Sequence, residues 1–431
     1  MKIAVIGAGA GGLAAAYDLA RAGHSVDIFE AEPAIGGLAA GFRDPAWSWS
    51  VEKYYHHWFA SDRAILGLIR ELGWQEKVIF KRPVTAVYYD GKFYGMDSIP
   101  AWLTFPGLSF PDRLRNLLVG GFLRLNPWWM PLESYTAEAW MKRWFGPRVF
   151  ERLWRPLFVG KFGEKDYPRV TMAWFWARLH SRTPRLGTFE GGFQAFLEML
   201  AARVEGLGAR IHLGTPVQRI RKHVDRGYLL EVGGRPQTFD AVIATTSPLL
   251  FSKLAADLPP QYLAKLLSMR SMGAVVLILS LRHQLAESGI YWHSLVKEAG
   301  FPFLALVEHT NYLPPEHFGG QHIIYCGDYL PPEHEYFQMT KADLLQRFAP
   351  TLRRVNPKFE EAWIINSWLF RTPYAQPVPG VDHSQNVPEI RTPLRGLYLA
   401  SMSQVYPWDR GTNYAVEIGR KAARELLSDF E

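Results

Sequence analysis

Apolar and polar positions change rhythm several times along the chain, and each rhythm predicts an element. "KIAVI" (residues 2–6) is apolar without alternation, the pattern of a strand buried on both faces of a parallel sheet. "GLAAAYDLARAG" follows as a helix closed by Gly23, and "SVDIFE" as a second strand. "TAVYYDGKFYGMD" predicts a hairpin, because Asp90-Gly91 suits a two-residue turn. Helical patterns fill most of the chain from there to residue 187. "GAVVLILSL" (Gly273–Leu281) and "QHIIYCGDY" predict further strands. "LPPEH" occurs at 313–317 and again at 330–334; with Pro in a first turn, it reads as a loop entering a helix rather than as a metal site.

The first strand, helix and second strand enclose G-x-G-x-x-G at Gly7, Gly9 and Gly12. Gly7 permits the tight turn, Gly9 lets a pyrophosphate approach the backbone with Ala10 and Gly11 beside it, and Gly12 lets helix and strand close up. The helix N-terminus then aims its amides at phosphate. Glu30 ends the second strand, where a carboxylate grips a ribose hydroxyl, with Ala31 next to it. The fold class expected is α/β, a Rossmann-like dinucleotide domain interleaved with an α+β substrate domain. No G-x-S-x-G, P-loop or H-E-x-x-H motif competes with it.

"EAEPAIGG" adds a second glycine pair, Gly36-Gly37. With it the chain resembles the FAD-dependent superfamily of protoporphyrinogen oxidase, phytoene desaturase and the flavin amine oxidases. Its arginine after the pair is replaced by Leu38, with Arg43 as a substitute candidate. The resemblance continues through "FEGGFQAFLEML" and "IHLGTPVQRI", where Val217 meets adenine through its backbone. It extends to "DAVIATTSP", with Thr245 near the pyrophosphate, and to the closing segment from Arg395 to Leu427. The family's Ala-Gly-Asp is here Ala400-Ser401-Met402; a Met cannot accept hydrogen bonds as a carboxylate does, and Ser401 or Ser403 could supply a weaker replacement. Gly411 opens the last helix, with Thr412 or Asn413 as a candidate N-cap; the resemblance implies that this helix start faces the flavin pyrimidine edge, where its dipole, with Arg410, would stabilise negative charge. An alternative for Asp409 and Arg410 is a surface ion pair.

The resemblance implies an FAD domain from 1–58, 188–250 and 388–431, and a substrate domain from 59–187 and 251–387. It implies an oxidoreductase that moves hydride from a lipophilic molecule (an isoprenoid, carotenoid precursor or porphyrinogen) onto flavin. The lysine that amine oxidases carry near the flavin is missing from "MGAVVLILSL", where Leu277 and its neighbours are aliphatic. His56 and His57 are candidates for moving a proton, and Lys161 and Arg178 for meeting a polar end of the substrate; packing or surface ion pairing is the alternative for each. Other readings are a flavin isomerase resembling UDP-galactopyranose mutase, served by Arg143, Arg148, Arg152 and Arg155, and a non-catalytic FAD-binding protein.

Composition modifies this picture at a few points. The 431 residues, 48% hydrophobic and 21% charged, suit a globular protein of two domains. Cys326, the single cysteine, excludes an internal disulfide and a flavin bond to cysteine in the closing motif, so the FAD is expected to be noncovalent and the compartment cytoplasmic. With a strand expected from Lys2, no signal peptide is expected, and no apolar run reaches the roughly 18 residues of a spanning helix. Of the net charge of +7, residues 99–165 carry ten Lys/Arg against five Asp/Glu, amid many of the 16 Trp. Such a block either packs as an aromatic core or touches an anionic membrane surface; no nucleic-acid motif accompanies it. The sequence leaves the oligomeric state open.

Overall fold

A computed structural model of the chain describes residues 1–223 and 227–431. A five-stranded parallel sheet runs in the order Arg210–His212, Ser25–Phe29, Lys2–Ile6, Ala241–Ala244, Leu397–Leu399. Side chains alternate across it, and both faces are covered. Ile3, Val5, Ile28 and Ile243 enter a core with the helices Ala10–Arg21, Phe193–Gly206 and Thr412–Phe430. Ala4, Ile6, Phe29 and Val242 face the three-stranded meander that starts at Val217. Two-sided burial is why these strands read as unbroken apolar runs. The helix Arg63–Glu71, expected in the substrate part, sends Ile65, Leu68 and Ile69 into the first of these cores.

Two long insertions between these strands meet in a seven-stranded mixed sheet. Its order is Ile364–Pro377, Ser271–Leu281, His322–Leu330, Ala305–Glu308, Ile290–Ser294, Val84–Tyr89, Lys92–Gly95. The last two strands form the expected hairpin, with Asp90 and Gly91 both at positive φ, 46° and 80°. Val275, Leu277 and Leu279 face a core with Phe348 and Leu352, while Val276 and Ile278 face Trp47, Val51 and Tyr325. The aliphatic strand is therefore two-sided, and Leu277 points away from the segment 47–59. Both Pro-Pro stretches lead into single 3₁₀ turns, Pro315–Phe318 and Glu335–Phe337, not into longer helices.

The Trp-rich block both packs and faces outward. Its helices surround Met172–Ser181, whose Trp174, Phe175 and Trp176 are fully buried. The helix Phe110–Leu125 instead leaves Phe110, Leu114, Leu118, Phe122 and Leu125 between 45% and 81% exposed. Their spacing puts them along one side of the helix, opposite the buried Asn116 and Leu123. Trp128, Met130 and Trp144 of the same block are exposed as well. Among the described residues no helix is long and apolar enough to cross a membrane.

Candidate functional site

The dinucleotide cradle is built from backbone. Gly7 donates to the carbonyl of Phe29 at 2.8 Å, and Gly36 donates to Ala8 at 2.9 Å, so the second glycine pair lies directly against the first loop. Gly36 has φ 124°, and a Cβ there would meet Ala40 Cα at 2.7 Å, so no other residue fits. A Cβ on Gly12 would meet the Gly7 carbonyl oxygen at 1.9 Å, which is the close helix–strand approach its place in the motif requires. At Gly9 the nearest atom would be 3.8 Å away, leaving room for a ligand to reach the backbone. Gly37 is exposed, and Leu38 is half-buried in the 3₁₀ turn Gly37–Ala39; Arg43 is exposed.

Glu30 is buried, and its carboxylate accepts N–H bonds from Ala8 (2.8 Å) and Glu32 (2.9 Å). A carboxylate offers about four lone-pair positions, so two remain for a ribose. The exposed Ala31 sits between these groups. Thr215 donates to the Glu30 carbonyl at 2.7 Å, which brings the strand starting at Val217 up to the same end of the sheet.

Several expected contacts have other employment. Gly11 serves packing: a Cβ there would meet the Ala415 carbonyl at 2.9 Å, and one on Gly419 would meet the Gly11 oxygen at 2.1 Å. The Thr245 hydroxyl donates to the Ile6 carbonyl at 2.9 Å, while the next residue, Thr246, holds a buried hydroxyl with no protein partner among the described residues. Thr246 is thus a better donor for a bound group; its neighbour's match to the family motif hid it. Ser401 is buried, and its hydroxyl pairs with Tyr374 (3.0 Å), which also holds Ser403 (2.8 Å). Neither serine stands free to replace a carboxylate. Met402 opens a 3₁₀ turn capped by Ser401 and Gln404.

The last helix starts at Thr412 with Gly411 as its N-cap and no side-chain cap. Neither Thr412 nor Asn413 caps it. Thr412 Oγ1 accepts from the Trp58 indole at 2.7 Å, and Asn413 Oδ1 accepts from the amides of Ala64 (2.9 Å) and Ile65 (3.1 Å), capping the neighbouring helix. The first-turn amides of the closing helix consequently stay available to an anion.

Beside that helix start, five chain segments bring together a cationic cluster. Asp409 is buried, not on the surface, and accepts from Arg178 (2.6 Å), Arg182 (2.9 Å) and the Trp174 indole (3.3 Å). Burial pushes its pKa up, but Arg178, Arg410, Lys161 and Arg182 together hold it well below the carboxylate range. Arg410 reaches Gln376 and the Tyr329 hydroxyl, its guanidinium 4.8 Å from that ring. Lys161 Nζ lies 4.7 Å from the same ring. Burial first, then Arg178 and Arg410, push this lysine far below its ordinary pKa, and burial followed by Arg182 pulls Arg178 to about 9.

His56 and His57 border this cluster. His56 Nδ1 lies 2.5 Å from the Tyr54 carbonyl and so carries the proton, leaving Nε2 as an acceptor. Burial lowers its pKa to about 4, and burial, Arg182 and His56 lower that of His57 to about 3. Both rings are neutral at pH 7. His57 Nδ1 is buried without a partner among the described residues. His56, His57, Lys161, Arg178 and Arg410 are thus neighbours. The strand near the site lacks a lysine, but the helix Arg155–Asp166 supplies one, Lys161.

The basic run offered for a nucleotide diphosphate does not converge. Arg155 binds Glu164 (2.7 Å) and Glu298 (3.2 Å), Arg148 pairs with Asp112 (3.2 Å), and Arg152 donates to the Gly107 carbonyl (2.9 Å).

Residues 10–427 match the family described as flavin containing amine oxidoreductase, and the chain belongs to it. It is a flavoprotein oxidoreductase by that membership. It is 22% identical to the 15-cis-phytoene desaturase, chloroplastic/chromoplastic, of Glycine max, over 100% of this chain and 80% of that one. It is 23% identical to the probable zeta-carotene desaturase of Synechococcus elongatus over 56% of each, so it spans about half the length of some relatives it matches. The putative protoporphyrinogen oxidase of Exiguobacterium sp. 255-15 shares the fold, with a TM-score of 0.78 and 17% identity over 99% of this chain and 98% of that one. The fold class is that expected.

Proposed function

We propose that this protein is an FAD-dependent desaturase or dehydrogenase that takes hydride from a lipophilic substrate. FAD, held noncovalently, supplies the hydride acceptor. Around it, Gly7, Gly9, Gly12, Gly36, Gly37, Glu30 and Thr246 hold the dinucleotide. The amides after Gly411, with Arg410, offset negative charge at the flavin. His56 Nε2 accepts the substrate proton where one is lost.

One observation carries the lipophilic reading. The helix that carries the exposed apolar stripe, Phe110–Leu125, also carries Arg124 in its last turn, whose guanidinium donates to the carbonyls of Leu179 and Arg182, beside the cationic cluster. A substrate carried in a lipid phase thus meets the protein beside its site. The same helix exposes Arg115 and Arg124, which donate to backbone carbonyls and so keep their charge, and with the stripe they support peripheral contact with an anionic membrane. The desaturase names of the relatives agree with such a substrate.

The test is a visible spectrum before and after heat release of the chromophore, then anaerobic incubation with polyenes and porphyrinogens. FAD release and bleaching by one lipid class are expected. A bound flavin that no lipid reduces sinks the enzymatic reading in favour of a non-catalytic FAD protein, and one that turns over UDP-sugars favours the isomerase.

A further inference from the structure

Three guanidinium groups, Arg178, Arg182 and Arg410, and the amine of Lys161 surround the buried carboxylate of Asp409. Arg178 and Asp409 keep only 11% and 9% of their side-chain surface, so water compensates the surplus poorly. Arg182 retains 37% of its side-chain surface, so the cluster is open to solvent on that side. Lys161 is buried, with no hydrogen bond or ion pair among the described residues, only the Tyr329 ring beneath it. His57 Nδ1, close by, lacks a partner too. A structural network places each charge against its opposite; this one does not. Its rim adjoins the exposed apolar helix through Arg124.

We propose that this cluster seats an oxyanion, a carboxylate or phosphate, at one end of the hydrophobic substrate, so that the substrate is an anionic amphiphile and not a neutral hydrocarbon. This rests on the reading of the site as that of a lipid oxidoreductase. Guanidinium groups match oxyanions with paired N–H bonds, and an ammonium adds a point charge. Arg178, Arg182, Arg410, Asp409, Asp62, His56, His57, Tyr55 and Tyr329 are the titratable or charged groups around Lys161. Among them only Asp409 and Asp62 carry negative charge, and an arriving anion therefore raises the lysine's proton affinity, so binding takes up a proton.

The experiment is calorimetric titration of the FAD-loaded protein with decyl phosphate, decanoate, decanol, inorganic phosphate and UDP, in two buffers of different ionisation heat. Expected are anion amphiphiles binding at least about tenfold tighter than decanol or inorganic phosphate, with a heat that varies with the buffer and so reports proton uptake. Lys161→Met, which leaves no orphaned partner, abolishes the uptake and most of the discrimination at unchanged FAD content; Arg182→Gln weakens the discrimination. Decanol binding as tightly as decyl phosphate, or inorganic phosphate or UDP matching it, overturns the proposal. So does a Lys161→Met protein with unaltered selectivity. Anion selectivity in a protein that no lipid reduces leaves the seat standing and fails only the oxidoreductase reading.

Discussion

Glycines in this chain carry opposite meanings that a substitution separates. Gly12 touches the Gly7 carbonyl so closely that Gly12→Ala must move helix or strand, and we expect about 2–3 kcal/mol of lost stability with loss of FAD. Gly120, in the exposed helix, has nothing within 4 Å of an added Cβ, and Gly120→Ala should gain about 0.5–1 kcal/mol. Urea unfolding of both variants decides this, and equal effects would contradict the assigned contacts. His56 and His57 add a pH effect. Their folded pKa values, about 4 and about 3, lie below the unfolded 6.5. Between those values the unfolded chain binds protons that the folded one refuses, so their stabilising neutrality is lost as pH falls from about 6.5 towards 4. Each histidine steepens that loss by up to about 1.4 kcal/mol per pH unit. His57→Phe, read in unfolding at pH 7 and pH 5, should narrow the gap between the two. The raised pKa values of Glu52 and Glu308, about 7 each, run the other way and remain in both proteins.

At the scale of elements, what was legible in the sequence followed how local the constraint is. The first strand, helix and hairpin could be read because burial on both faces, Gly12 and Asp90-Gly91 act within a few residues. The caps could not: Asn413 lies at a helix start yet caps Arg63–Glu71, over three hundred residues earlier in the chain. Asn413→Ala should therefore cost about 1 kcal/mol, and amide exchange should quicken at Ala64 and Ile65, not in the closing helix. The face of a helix was equally hidden. Arg143, Arg148, Arg152 and Arg155 suggested an anion site, and the fold turned the last three to surface carboxylates and a carbonyl, whereas Phe110–Leu125 turned its apolar side outward. That face makes the membrane proposal testable. Wild-type protein should sediment with phosphatidylserine vesicles and less at high salt, and Leu118→Glu with Phe122→Glu should abolish this while FAD stays bound. Sedimentation untouched by both changes would remove the helix from any membrane contact.

The whole molecule explains both why the cofactor was evident and why the site was not. The cradle gathers its backbone from residues 7–12 and 36–37, a unit that a sequence shows at a glance. Asp409, Arg178, Arg182, Lys161 and Tyr329 come from both insertions and the closing segment, and only the assembled fold makes them neighbours. On the proposed reading a bound dinucleotide would join parts that the chain separates: the first loop, the 36–37 turn, the strand from Val217, Thr246 and the last helix. A ligand bound only to the folded form stabilises it by RT ln(1 + [L]/Kd), about 4 kcal/mol at a thousandfold excess over Kd. Adding FAD to the stripped protein should raise Tm by several degrees in proportion to log [FAD], with the five-stranded sheet and the closing helix gaining protease resistance together. Glu30→Gln keeps an acceptor for one backbone amide but weakens the ribose contact, and it should shift that titration to higher FAD without changing the Tm of the stripped protein by more than about 2 °C. A Tm indifferent to FAD would mean that these segments are held by their own packing, and that the cradle formed by Gly9 and Gly36 binds nothing that matters to the fold.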